Sequence, residues 1–177
     1  MGDAGHTGDG ASHDHHRDDL DALGVAVLTV TSSRSLADDP AGDAFEAAVK
    51  AESHEMVARE VVRDDRAAVE GRVVDLVGND TVDTIVTAGG TGVTPDDVTV
   101  EAVASLFDKD LPGFGELFRR QSHDEVGTRV IGTRATAGIV AGVPIFCLPG
   151  SENAARLGAE LVLAEAPHLA GLARRDD

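Results

Sequence analysis

The amino-acid sequence predicts an α/β domain of three layers, with helices on both faces of a central, mostly parallel sheet that carries an antiparallel hairpin. Three features predict it. Short β-rich apolar runs alternate with segments whose apolar residues recur at helical spacing. Two strand-like runs late in the chain are separated only by Ala141-Gly142. A chain of 177 residues is long enough for one buried core and too short for two ordinary domains.

The elements follow in order. Val25 to Thr31 is a continuous apolar run suited to a strand buried on both faces. After the polar loop Ser32-Ser-Arg-Ser, Asp39 and Pro40 form an N-cap and first-turn signal, and Ala41, Ala44, Phe45, Ala48 and Val49 repeat as one face of a helix. Glu55 to Val62 is a second strand. Asp64-Asp65 then cap a helix bearing Val69, Val73, Leu76 and Val77, and Val82 to Thr87 is a third strand. Beyond a glycine-rich turn, the pattern predicts a short helix over Thr99 to Phe107 and an amphipathic one around Phe114, Leu117 and Phe118. Thr133 to Val140 and Val143 to Leu148 make the hairpin. The last helix starts at Ser151 and runs through Ala154, Gly158, Leu161 and Val162, with Pro167 marking a second short helix.

Residues 1–22 hold His6, His13, His15 and His16 among Asp, Gly and Ser, with too little apolar surface to offset the entropy of ordering them. They read as a tail outside a single domain over 23–177, either disordered or a weak divalent-metal binder. The only cysteine, Cys147, lies in the apolar run Ile145-Phe-Cys-Leu and reads as core, with no internal disulfide open to it.

Charge narrows the function classes. Thirty-two acidic residues face 15 lysines and arginines, for a net charge of −17. A field of that sign opposes phosphate backbones and anionic membranes, which argues against nucleic-acid and membrane partners. Few aromatics and only two lysines, Lys50 and Lys109, accompany the acid excess and point to a halophilic source, an ordinary acidic protein being the alternative. No apolar run approaches the roughly 18 residues of a membrane span, and the start lacks the basic-then-apolar pattern of a secretory signal, so the expected location is the cytoplasm.

The strongest local motif is Thr87-Ala-Gly-Gly-Thr-Gly92, directly after a buried strand. Glycines there let backbone N–H groups wrap an anion at the carboxyl edge of a sheet, although such a turn also serves as a plain tight connection. It has neither the lysine of a Walker loop nor the spacing of a dinucleotide fingerprint. Asp96-Asp97-Val98-Thr99 follows, with carboxylates placed either to cap the next helix or to hold a hard cation together with substrate phosphates. Asp64 ends the second strand at the same edge and has the same two readings. Pro149-Gly150-Ser151 begins a helix, as a phosphate seat or a simple serine cap. Arg134 reads either as a contact to a ligand phosphate or as a surface ion pair.

Five motifs in this order and spacing, Thr87-Ala-Gly-Gly-Thr-Gly, Asp97-Val-Thr, Leu111-Pro-Gly-Phe-Gly-Glu116, Thr133-Arg-Ala-Thr-Ala-Gly138 and Leu148-Pro-Gly-Ser151, resemble the molybdopterin-binding domain of the MoaB, MogA and gephyrin-type proteins. The resemblance covers the chain from about Val25 onward, and with the acid excess it implies a haloarchaeal member of MoaB type. It implies that ATP and molybdopterin bind in one cleft with Mg2+, and that AMP passes to molybdopterin as pyrophosphate leaves. On it, Asp97 and Asp64 are the catalytic and metal-linked carboxylates. Thr87, Gly89, Gly90, Thr91 and Gly92 cradle the nucleotide phosphates, and Ser32, Glu116, Arg134, Gly150 and Ser151 line the pterin side. A homotrimer or homohexamer, working with other cofactor-biosynthesis proteins, is implied as well. Two positions depart from the pattern: Ser32 where many relatives carry Asp, and Asp96 where many carry Arg. These departures keep open a second expectation, a noncatalytic molybdopterin carrier of the same fold.

Overall fold

In the computed structural model, which describes residues 19–175, the elements are β1 (Gly24–Val30), α1 (Pro40–Ala51), β2 (Glu55–Val62), α2 (Arg66–Val77), β3 (Thr84–Ala88), α3 (Thr99–Ala104), β4 (Lys109–Asp110), α4 (Pro112–Val126), β5 (Thr136–Val140), β6 (Val143–Leu148) and α5 (Glu152–Ala173). A 3-10 helix over Gly127–Gly132 joins α4 to β5. The histidine-bearing stretch read as a tail lies outside the described residues up to residue 18. Leu20, within the span expected to be tail, packs against the core, and its N–H donates to Pro167 O at 3.3 Å.

The strands form one sheet in the order β2-β1-β3-β6-β5-β4. β2, β1, β3 and β6 run parallel, while β5 is antiparallel to β6 and to β4. The β5–β6 turn is Ala141-Gly142, both at positive φ (46° and 82°), as a primed two-residue hairpin requires. Strand alternation divides the core in two. Val25, Val27, Val86, Ala88, Phe146 and Leu148 face α1, α4 and α5, whereas Ala26, Leu28, Val30, Ile85, Ile145 and Cys147 face α2 and α3. These are the three layers expected. Cys147 is wholly buried, and burial pushes its thiol up to about 12, which removes it as a nucleophile. No helix among the described residues is long and apolar enough to cross a membrane.

Pro167 does not divide the last helix: α5 runs unbroken through it. Lacking an N–H, Pro167 cannot donate to the preceding turn, a loss of about 3 kcal/mol in an isolated helix. Here Val162, Leu163, Ala166 and Ala170, on both sides of the proline, are buried on one stripe against the sheet and α1, and that shared burial holds the helix continuous. The strand expected from Thr133 begins only at Thr136, because the Arg134 N–H turns to Thr91 O instead of a strand neighbour. α3 likewise stops at Ala104, short of Phe107.

Asp39 joins local and tertiary structure. The residue is 1% exposed, and its carboxylate accepts from the Gly42 N–H (3.0 Å) as the N-cap of α1 and from Thr29 Oγ1 (2.9 Å) and Arg59 Nη2 (3.2 Å). Arg59 also pairs with Asp43 and Glu46. Asp39→Ala is therefore expected to lower stability by about 2–3 kcal/mol in urea denaturation, combining a lost cap with a stranded hydroxyl and a weakened ion pair. A loss under about 0.5 kcal/mol would show that the network contributes little beyond a surface contact.

Candidate functional site

From β1 the chain crosses to β2 on one side and then returns to β3 on the other, so the carboxyl ends of β1 and β3 form the switch point where a parallel sheet opens a crevice. The glycine-rich turn sits there. Gly89 has φ +111° and its N–H donates to Leu148 O at 2.8 Å; a Cβ on it would fall against Val30 O, the last carbonyl of β1. Gly90 has φ +65°, and a Cβ would strike Thr99 Oγ1. Only glycine fits this double approach. Gly150, after β6, lies against Gly89, so the loops after β1, β3 and β6 meet around one turn.

The loop from Gly92 to Asp97 leads into α3. Asp97 Oδ2 accepts from the Thr94 N–H (2.8 Å) and Thr94 Oγ1 (2.6 Å). Burial works to raise the pKa of this carboxyl, but the Thr94 hydroxyl, the Thr94 and Gly92 N–H groups and the nearby Arg134 outweigh it and hold Asp97 below its ordinary value, as the anion. Arg134 reaches the loop from 42 residues away: its Nε donates to Gly92 O at 2.7 Å and its Nη2 to Asp97 O at 3.1 Å. Both of its terminal nitrogens also meet the Glu101 carboxylate on α3.

Two cavities flank this region. One, of about 500 Å3, is lined by Arg66, Thr94, Asp97, Glu101 and Arg134 among others. The other, of about 240 Å3 and mostly apolar, is lined by Phe118, Val126, Arg129, Thr133, Ser151 and Leu157 among others. The adjacent residues Thr133 and Arg134 belong one to each, so the cavities are neighbours. Asp64 lies on the β2–α2 connection, two residues before Arg66, and its N–H donates to Ser32 Oγ at 3.3 Å. Asp65, rather than Asp64, caps α2. Ser151 caps α5 through the Ala154 N–H at 3.2 Å and also lines the smaller cavity.

Not every expected residue reaches the crevice. Thr87 is wholly buried inside β3 opposite Cys147 and faces the core, its hydroxyl beside the Cys147 thiol; it shapes the strand beneath the turn. Thr91 is 2% exposed and contributes its carbonyl to Arg134 N. Glu116 is exposed on α4 with no hydrogen bond to the edge loops, and it is neighbouring Gly115 that brings α4 against Ala135 O. Sequence reasoning passed over Thr94 and Glu101. The first carried a signal, since Thr94-x-x-Asp97 has capping-box spacing, in which a carboxylate reaches back to the N–H three residues earlier.

Electrostatics adds one asymmetry. Among the described residues Arg59, Arg66, Arg72, Arg134, Arg156 and Arg174 pair with carboxylates, whereas Arg34, Arg63, Arg119, Arg120 and Arg129 do not; Arg119 and Arg120 lie on α4, and Arg34, Arg63 and Arg129 lie on the loop after β1, the loop after β2 and the 3-10 helix before β5. Arg34 donates from Nη1 to Gly150 O at 3.1 Å, beside the glycine turn. In so acidic a chain, unneutralised guanidiniums at one sheet edge make it a place for an anion. No group of three or more His, Cys, Asp or Glu among the described residues is arranged to hold a metal ion. A hard cation would need substrate oxygens beside Asp97, which is the donor set Mg2+ favours.

The chain is similar to known proteins over most of its length. The profile of a family described as "Probable molybdopterin binding domain" matches residues 13–169. The Molybdenum cofactor biosynthesis protein B of Bacillus subtilis is 34% identical over 165 residues, covering 92% of this chain and 97% of that protein. A crystal structure of a Molybdenum cofactor biosynthesis protein B superposes with a TM-score of 0.84 at 34% identity, covering 88% of this chain and 98% of that one. The tungsten cofactor synthesizing protein MoaB from Pyrococcus furiosus does so with a TM-score of 0.78 at 36% identity, covering 87% and 98%.

Proposed function

Because this chain belongs to the molybdenum cofactor biosynthesis family of probable molybdopterin-binding domains, we propose that it is a molybdopterin adenylyltransferase that uses Mg-ATP. The observation that carries the reading is the Gly89-Gly90 turn fixed at the switch point, with the loop that follows it on the wall of an ionic cavity and Gly150, packed on Gly89, flanked by Pro149 and Ser151 on the wall of an apolar one. The ionic cavity suits a nucleotide's phosphates. The apolar one, with Phe118 and Arg129 on its wall and the start of α5 at its mouth, suits a pterin with its phosphate toward Ser151.

The terminal phosphate oxygen of molybdopterin attacks the α-phosphorus of ATP. A new P–O bond forms, the bond to the bridging oxygen of the β-phosphate breaks, and pyrophosphate leaves with that electron pair. The chain's share is positioning and charge: backbone N–H groups of Gly89 to Gly92 orient the triphosphate, and Arg34 and Arg129 balance its charge and that of the pterin phosphate. Asp97, together with Asp64 on the β2–α2 connection, would hold Mg2+, whose charge would neutralise the leaving phosphates. A homotrimer or homohexamer acting in the cytoplasm beside other cofactor-biosynthesis proteins completes the proposal.

The test is incubation with molybdopterin and ATP labelled at the α-phosphate. Label is expected on the pterin with Mg2+ present, no transfer is expected after chelation by EDTA, and readdition of Mg2+ should restore it. A second reading, a noncatalytic molybdopterin carrier, draws on exposed Asp96 and on an Arg134 already committed to main-chain and Glu101 partners. It predicts pterin binding with no label transferred at any Mg2+ concentration.

A further inference from the structure

Asp97 is tied to its own loop and not to the rest of the domain. Its side-chain bonds come from Thr94 and from the Gly92 N–H, all within the same loop, so they set the carboxylate's direction within the turn and leave the turn's place in the molecule to other contacts. Val93 to Asp96 are exposed, Val93 at 76%, so burial does not hold the loop down. What crosses from the loop to the body is Arg134. One guanidinium bonds the carbonyls at both ends, Gly92 O and Asp97 O; Glu101 on α3 holds the far side of the fork; and the Arg134 N–H fixes Thr91 O.

We propose that Arg134 is a positioning residue, a clamp that fixes the Gly92–Asp97 loop so that Asp97 meets the ligand cavity in one orientation, and that it does not itself bind substrate phosphate. The inference rests on the adenylyltransferase reading for its kinetic consequence and on geometry alone for the clamp. Each of the three guanidinium nitrogens already donates to a protein oxygen, and Glu101 neutralises the charge, which leaves little of either for a ligand. The planar fork is essential, because a lysine ammonium is a point charge without the geometry to span two carbonyls and a carboxylate.

The test uses the full chain as wild type, Arg134→Ala, Arg134→Lys and Glu101→Gln, with foldedness checked by circular dichroism. Amide hydrogen exchange over residues 92–97 is expected to speed up in both Arg134 variants. Transfer with molybdopterin and Mg-ATP is expected to lose about 10- to 100-fold in kcat, the cost of a misplaced catalytic group. KM for ATP should stay within about twofold, and half-maximal rate should require several-fold more Mg2+. Glu101→Gln should lose a few-fold in kcat in the same direction.

Unchanged exchange in Arg134→Ala overturns the clamp. So does a rise in KM for ATP at unchanged kcat and Mg2+ requirement, or a Glu101→Gln variant that binds ATP more tightly, since a freed guanidinium would then be acting as a phosphate ligand. A wild-type chain that transfers no label removes the adenylylation reading instead, and the exchange measurement still decides whether Arg134 holds the loop.

Discussion

Asp97→Ala is expected to lower adenylyl transfer by about 10^3-fold while leaving molybdopterin affinity within a few-fold, a split that reflects charge stabilisation needed chiefly in the transition state. The carboxylate stands in the ionic cavity, held as the anion by Thr94, Gly92 and Arg134. Its removal takes the protein's fixed charge away from the cation that would neutralise the triphosphate, and it also frees the Thr94 hydroxyl and N–H. Asp97→Asn separates the two roles, because the amide oxygen can still accept from Thr94 while the charge is gone. If charge is what matters, the Asn variant is as slow as the Ala variant and keeps wild-type stability. Transfer at the wild-type rate by Asp97→Asn would remove Asp97 from the chemistry. Labelled product measured at saturating ATP, beside calorimetric pterin binding, distinguishes these outcomes.

Gly89→Ala is expected to cost about 4 kcal/mol or more in chemical denaturation and to remove ATP binding, a large share of the 5–15 kcal/mol that holds an ordinary domain folded. At φ +111° an L side chain is strained before any contact is counted, and the added methyl would enter Val30 O, a main-chain atom that cannot rotate aside. Relief would require moving the ends of β1 and β3 apart or breaking the Gly89 N–H bond to Leu148 O. Gly90→Ala is the milder comparison. Its φ of +65° lies in the left-handed region that costs an alanine about 1 kcal/mol, and the obstruction is a side-chain hydroxyl, Thr99 Oγ1. Equal stability in the Gly89→Ala and wild-type chains would mean that the turn relaxes freely and is no rigid cradle.

The fold was legible wherever one local signal and one burial pattern agreed. Asp39-Pro40 carried its own cap and opened α1 at Pro40, and the β-rich run Glu55–Val62 became a strand with those ends. Pro167 misled because a local rule met a tertiary one: the stripe buried across the proline belongs to contacts with α1 and the sheet that no helix-length window contains. The 3-10 helix at Gly127–Gly132 and the two-residue β4 had no periodicity to show. The same division governs the site. The glycine turn, Asp97 and Asp64 were legible because their residue types and spacing report a backbone shape and a charge at one sheet edge. The Arg134–Glu101 pair was not, because 33 residues separate its members and many arginines and acids in so charged a chain are equally eligible by sequence. Thr87 was assigned to the ligand because it begins the motif, yet strand alternation turns it toward the core beside Cys147.

The most direct test of the site is a crystal of this chain grown or soaked with Mg2+ and a non-hydrolysable ATP analogue. The triphosphate is predicted against the backbone of Gly89 to Gly92, with the metal on Asp97 and the nucleotide in the cavity shared with Arg66. Density for the analogue elsewhere, or a second subunit seated over the glycine turn with no space for a phosphate, would contradict it.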